Sequence, residues 1–351
     1  MRIVVVGASG NVGTSLLHAL AGEPAVDSVL GLARRLPAAR FDKTEWAEAD
    51  VTSSELAPHF RGADVVIHLA WLIQPGRDPA TLRATNVDGS RRVFDAVAAA
   101  GVPALVYASS VGAYAPGPKD RRVDESWPTT GIESSTYAQH KAEVERLLDR
   151  FERETPSVRV VRLRPALIFK REAASGIRRL FAGPFLPSPL VRRELIPVVP
   201  RTERLIVQAV HSLDVGEAYR LAAVGDVRGP FNIAADPVLD TEKLAELLEA
   251  RPLPVSPRVL RAGAALSYRL HLQPAEPGWL DMGLAVPLMD TTRAREELRW
   301  EPARSAGDAL LELLDGMRDR AGIETPPLAP DSGGPLRARE LLSGVGRRLG
   351  L

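Results

Sequence analysis

Residues 3–13 read Ile3-Val4-Val5-Val6-Gly7-Ala8-Ser9-Gly10-Asn11-Val12-Gly13. The opening run of branched aliphatics has no polar face, which predicts a strand buried on both sides. The glycines that follow have the spacing GxxGxxG and predict a tight turn into a helix. Gly7 permits the turn, Gly10 lets a ligand's pyrophosphate approach the backbone, and Gly13 lets the helix lie close to the sheet. The anion would sit on the amides of the helix start, beside Ser9, Asn11 and Val12. A strand before the glycines and an amphipathic helix after them separate this reading from a chance pattern. Val12, Leu16, Leu17 and Leu20 supply that helix's apolar face.

Outward from this turn the same alternation continues. Val29–Leu32, Val65–Leu69, Ala104–Tyr107 and Val158–Leu163 are short Val/Ile/Leu runs bounded by turn residues and read as further buried strands. Val87, Val93, Phe94 and Val97 form one helical stripe, and Val144, Leu147, Leu148 and Phe151 another. Strands alternating with helices predict an α/β, Rossmann-type doubly wound parallel sheet over 1–165, with 205–235 returning to it. A smaller C-terminal substrate-binding lobe is expected from 166–204 and 236–320. Within these segments Asp214–Ala223, 241–250 and 291–299 read as helices, and the proline-rich stretch 181–200 as a shaped loop or hairpin. Residues 321–351 read as a Pro/Gly-rich linker and a short basic tail. The tail is expected to be loosely docked; a basic amphipathic helix on a membrane surface is the alternative.

Composition bounds the function. The 351 residues, at roughly 150 per domain, make one large or two smaller domains. Lys+Arg 45 against Asp+Glu 44 gives net charge +1, without the basic excess of a dedicated nucleic-acid binder. With no cysteine, thiolate nucleophiles and Cys-based metal sites are excluded. None of the six histidines forms an HxxxH or HExxH pair, so no metal site is expected. His140 is expected at the surface or an interface. No apolar run reaches membrane-spanning length and no signal peptide is evident, so a cytoplasmic protein without stable membrane insertion is expected.

Two further motifs bear on chemistry. The second strand ends Ala33-Arg34-Arg35, with no acid to receive a ribose 2′-hydroxyl. Arg34 and Arg35 there predict preference for NADP(H), with NAD(H) as the alternative. Tyr137 and Lys141 lie four residues apart at a helix start and so share a face. A free tyrosine, with pKa near 10, is a poor base, and a nearby ammonium would stabilise its phenolate. Ser109 and Ser110 follow the strand Ala104–Tyr107, at the carboxyl edge where open α/β sheets bind ligands.

With these motifs in this order, the sequence resembles the extended short-chain dehydrogenase/reductase superfamily, in its NAD-dependent epimerase/dehydratase branch. Asp50-Val51, His68-Leu69-Ala70-Trp71, Asn86–Ser90, Val106–Tyr114, Arg162–Pro165, Val210–Asp214 and Phe231–Ile233 add to the likeness, which runs to about residue 303. The resemblance implies that Asp50 and Val51 flank adenine, that Leu69, Ala70 and Trp71 line the cofactor path, and that Pro165 borders the nicotinamide. It implies Tyr137 as general acid/base, Lys141 on the nicotinamide ribose, and Ser110 rather than Ser109 on the substrate oxygen. It also implies a homodimer through the helices carrying Asn86–Ala100 and Tyr137–Phe151. Two departures matter. Val111 stands where sugar dehydratases of the family carry an acid. Leu167 stands where many nucleotide-sugar epimerases carry an asparagine.

The expectation is an NAD(P)-dependent oxidoreductase that transfers hydride between nicotinamide and a hydroxyl or carbonyl carbon of a small, moderately apolar substrate. A nucleotide-sugar 4-epimerase is the enzymatic alternative. A non-catalytic dinucleotide-sensing regulatory protein is the alternative from another class.

Overall fold

The computed structural model describes residues 1–74, 76–181, 195–330 and 345. Its large sheet has strands β1 (Arg2–Val6), β2 (Ser28–Ala33), β3 (Thr44–Glu48), β4 (Val65–His68), β5 (Ala104–Ala108), β6 (Arg159–Pro165) and β7 (Gly229–Ile233). They are ordered β7-β6-β5-β4-β1-β2-β3, and every neighbouring pair is parallel. The chain builds outward from β1 to β3 and then crosses to β4 on the other side. The carboxyl ends of β1 and β4 therefore frame the crevice where doubly wound folds bind ligands.

Alternate residues of each strand feed two cores. Ile3, Val5, Ile67, Val106 and Leu163 pack beneath α1 (Asn11–Ala21) on one face. Val4, Val6, Val66, Leu105 and Val160 pack beneath α2 (Gly89–Ala99) and α3 (Thr136–Glu154) on the other. Burial on both faces is why these strands read as unbroken apolar runs. Helix α4 (Ser212–Val224) joins the first core through Val215, Ala218 and Tyr219, and Ser212 Oγ meets Ser15 Oγ of α1 at 2.9 Å. Strand β3 gives no such run: it lies at the sheet edge, and its Glu45 and Glu48 are exposed.

Beyond β6 the pattern changes. Leu167–Phe169, Val207–His211 and Ala235–Leu239 form a separate three-stranded sheet, and Val198–Arg201 pairs with Arg251–Pro254. Helices follow at Thr241–Leu248, Pro257–Arg269, Gly278–Ala285 and Ala306–Asp319. The helix expected over 291–299 is shorter, Thr292–Glu296. The helix Pro257–Arg269 was not anticipated, although Ser256 before Pro257 is a helix-start signal and the Ser256 hydroxyl does accept from Val259 N at 3.3 Å. Most of 181–200, and the tail after 330 except Val345, lie outside the described residues. Among the described residues no helix is long and apolar enough to cross a membrane.

Candidate active site

The glycine turn makes the floor of a groove at the carboxyl ends of β1, β2 and β4. Gly7 has φ +87°, and a Cβ there would lie 2.7 Å from Ala70 N. A Cβ on Gly13 would lie 2.4 Å from Ala8 O, so α1 can sit this close to the turn only with glycine. A Cβ on Gly10 would meet only Gly7 O at 3.5 Å, which leaves open space above that residue. The groove is lined by Gly7, Ser9, Gly10, Arg34, Arg35, Val51, Leu69, Ala70 and Trp71. At the start of α1 no side chain caps the helix, and the buried Asn11 Oδ1 has no hydrogen-bond partner. An uncapped helix start, open space over Gly10 and an orphaned polar atom fit a dinucleotide's pyrophosphate and ribose.

Some expected groove residues lie elsewhere. Asp50 is not in the lining; its Oδ1 accepts from Thr52 N at 2.8 Å and Thr52 Oγ1 at 2.7 Å, within its own loop. The Val12 side chain packs on the first core, while its backbone stands in the first turn of α1. Pro165 is buried at the end of β6, paired in register with Ile233. The groove also has a wall that the sequence reading did not anticipate. Pro326 and Pro327 close one side, anchored by buried Thr325 and Leu328 and by Ala39 N donating to Glu324 O at 3.2 Å. The expected linker begins as packed structure.

Tyr137, Lys141 and Ser110 converge at the inner end of this groove. Ser110 lies close enough to the Tyr137 phenol to influence its pKa, and Ser110 Oγ accepts from Gly112 N at 3.0 Å. Burial pushes the Tyr137 phenol up to about 12, with the Ser110 hydroxyl opposing it. Lys141 Nζ donates to Ala108 O at 2.6 Å and lies 3.4 Å from the centroid of the Trp71 ring. It is 5.9 Å from the Tyr137 ring centroid. Lys141 was expected to lower the tyrosine pKa; here the opposing group is Ser110, and burial drives Lys141 itself well below the usual lysine range. Trp71 stands edge-on to Tyr137, with centroids 5.9 Å apart. Its loop is held by Asn86, whose Nδ2 donates to Leu72 O at 2.8 Å and whose Oδ1 accepts from Leu72 N at 2.7 Å. Asn86 lies in a π-helical turn, Ala84–Asp88, a device that re-aims side chains at sites.

The two adjacent serines part company. Ser109 Oγ donates to Glu145 Oε1 at 2.5 Å, behind the site. Glu145 is fully buried, one turn beyond Lys141, and is gripped by Arg164 Nε at 2.8 Å and Arg162 Nη1 at 2.8 Å. Burial works against its charge, but Arg164 and Arg162 prevail and hold the carboxyl at about 2. Arg164 also donates to Tyr114 Oη at 3.0 Å, which in turn donates to Asn232 Oδ1 at 2.6 Å. This network ties β5, β6, β7 and α3 together beneath Ser110 and Lys141. Its signal stood in the sequence: arginines at alternate positions of an apolar strand require a buried acid. His140 is another correction. It is buried, lining a small cavity with Tyr137, Leu72 and Trp279 rather than facing solvent.

Beyond Tyr137 opens a chamber of about 470 Å³. Val111, Phe181, Leu205, Leu260, Trp279, Leu280 and Met282 are among its walls, and its surface is overwhelmingly apolar. The Trp279 ring lies 4.8 Å from that of Tyr137, so tyrosine and chamber meet.

Comparison with known proteins places the fold and the family. An uncharacterized protein of Mycobacterium tuberculosis is 28% identical over 326 residues, 92% of this chain; the chain spans only 31% of that protein's length. Sterol-4-alpha-carboxylate 3-dehydrogenase, decarboxylating, of Saccharomyces cerevisiae is 29% identical over 192 residues, 51% of this chain and 55% of that protein. Among solved structures, the UDP-glucose 4-epimerase of Thermus thermophilus in complex with NAD shares the fold, with TM-score 0.66 and 20% identity over 91% of this chain and 99% of that one. The sequence profile of one family matches residues 3–179, the span that holds the glycine turn, Ser110, Tyr137 and Lys141. The chain belongs to the NAD dependent epimerase/dehydratase family.

Proposed function

We propose that this protein is an NAD(P)-dependent oxidoreductase acting on a hydroxyl or carbonyl carbon of a small, moderately apolar substrate. The observation that carries the reading is the apolar chamber at Tyr137. A nucleotide sugar, polar along its whole length, would leave such walls without partners and its own hydroxyls unsatisfied. The yeast relative, whose name gives a sterol carboxylate as substrate, is consistent with an apolar occupant.

The bound nicotinamide would supply or accept the hydride. The chain's residues do the rest. The turn Gly7–Gly13 seats the dinucleotide, with Val51 at one end of the groove and Leu69–Trp71 along it. Arg34 and Arg35, lining the groove at the end of β2, favour a 2′-phosphate and hence NADP(H). That preference rests on these arginines alone, since the Thermus neighbour holds NAD. Ser110 donates to the substrate oxygen and Tyr137 exchanges the proton at Oη. Lys141, anchored on Ala108 O, would hold the nicotinamide ribose with its remaining N–H groups. With its pKa near 12, Tyr137 is protonated at neutral pH, so it is poised to donate, which suits carbonyl reduction. Reduction should then hold steady through neutral pH, while alcohol oxidation, which needs the phenolate, should rise with pH.

Tyr137→Phe tests the assignment. Turnover of an apolar ketone with NADPH should fall about a hundredfold or more, while cofactor affinity by fluorescence titration stays nearly unchanged. Retained turnover would remove Tyr137 from its role.

A further inference from the structure

Apolar recognition leaves one feature unused: a cation in the chamber wall, Lys119, with a second, Arg204, close by outside the lining, and no acid paired to either among the described residues. Lys119 is buried in that wall. Its Nζ donates to Ile206 O at 2.7 Å and to Gly283 O at 3.0 Å. Arg204, exposed and outside the lining, is near enough for its charge to act on Lys119, its Nε donating to Leu284 O at 3.0 Å and Nη2 to Gly117 O at 2.8 Å. All four acceptors are neutral carbonyls. Among the described residues no carboxylate lies within ion-pair distance of either cation.

A buried ammonium ordinarily has an acid as partner, because an unpaired charge in an apolar wall is costly. Here burial and the neighbouring Arg204 charge hold Lys119 at about 7, well below the usual lysine range. An ammonium has three N–H donors, and the two carbonyls leave one uncommitted. The acid among the chamber's lining residues, Glu276, is engaged at the tyrosine end, where it accepts from Thr136 N at 2.8 Å and Thr136 Oγ1 at 3.1 Å. The chamber therefore has opposite charge at its two ends, with apolar walls between.

We propose that Lys119 and Arg204 bind the anionic head of the substrate, a carboxylate, so that the enzyme takes an amphipathic acid with its apolar body between Leu205, Leu260 and Leu280. The proposal rests on the apolar-substrate reading above and narrows it to one chemical class. It also gives the substrate a direction: head at Lys119, reacting oxygen at Tyr137.

The test is displacement of the neutral fluorophore N-phenyl-1-naphthylamine from the full chain by dodecanoic acid, by its methyl ester and by uridine diphosphate. The acid should displace the probe at about tenfold lower concentration than the ester, the scale of a charge-assisted hydrogen bond. That advantage should shrink severalfold in Lys119→Gln, which keeps an N–H donor for the carbonyls, and in Arg204→Met, whose site is exposed. Equal displacement by acid and ester in the wild type, or an advantage intact in both variants, would overturn the anion site while leaving the apolar chamber standing. Stronger displacement by uridine diphosphate than by dodecanoic acid would assign the cations to a nucleotide diphosphate and overturn the proposal. Failure of the probe to bind at all would overturn the apolar-substrate reading itself.

Discussion

The groove beside β1 is made by backbone, and the chamber beside Trp279 is made by side chains. In the groove, Gly7 and Gly13 stand where a Cβ would lie 2.7 and 2.4 Å from neighbouring main-chain atoms, so the contact surface is the chain itself. In the chamber, residues from Val111 to Pro287, drawn from several separate segments, contribute side chains that are mostly apolar. A backbone surface presents nearly the same donors whatever side chains surround it, which suits a ligand that never changes. A side-chain surface can be resized one residue at a time, which suits a ligand that differs between relatives. Between the two sit Ser110 and Tyr137, fixed from behind by the Glu145 network.

Changes that separate these regions follow in order of expected size. Glu145→Gln should be the most damaging, because it leaves Arg164 a buried charge without a carboxylate and takes from Arg162 one of three, Asp149 and Glu152 remaining; about 3–5 kcal/mol of stability should be lost, read by urea unfolding. The sign of the pH effect follows from the lowered pKa. The contribution of Glu145 is complete above the ordinary carboxyl range, near 4.5, and is lost as pH falls toward about 2, so the wild type should shed its advantage over the variant in that window. Gly13→Ala should weaken dinucleotide binding by about tenfold to a hundredfold, because α1 must lift from the turn, measured by cofactor fluorescence titration. Trp279→Ala should weaken N-phenyl-1-naphthylamine binding about tenfold through lost apolar contact while cofactor affinity holds. An equal loss of cofactor affinity in that variant would break the division between the two regions. The smallest effect is expected from replacing Arg34 and Arg35 together with alanine: the ratio of NADP(H) to NAD(H) affinity should fall about fivefold to tenfold. An unchanged ratio would remove the arginines from cofactor choice.

The same contrast explains what could be read in the sequence. The strands β1, β2, β4, β5 and β6 were legible because burial on both faces leaves unbroken aliphatic runs, and the turn because glycine spacing is a local property. The family resemblance singles out Ser110 over Ser109, and in the structure Ser109 bonds Glu145 while Ser110 lies near the Tyr137 phenol. The edge strand β3 was not legible, since exposed Glu45 and Glu48 dilute its pattern. The wall formed by Pro326 and Pro327 was not, because proline reads as linker until Thr325 and Leu328 are seen to be buried. The chamber was legible only as an apolar tendency, since its walls come together by tertiary packing alone.

The most direct test follows the near-ultraviolet absorbance of reduced nicotinamide while the protein is offered NADPH with an apolar ketone and, separately, UDP-glucose. Absorbance should fall mole for mole with alcohol formed from the ketone, Tyr137→Phe should abolish the fall, and UDP-glucose should be left unchanged. Conversion of UDP-glucose to its 4-epimer with no net change in absorbance would contradict the oxidoreductase reading.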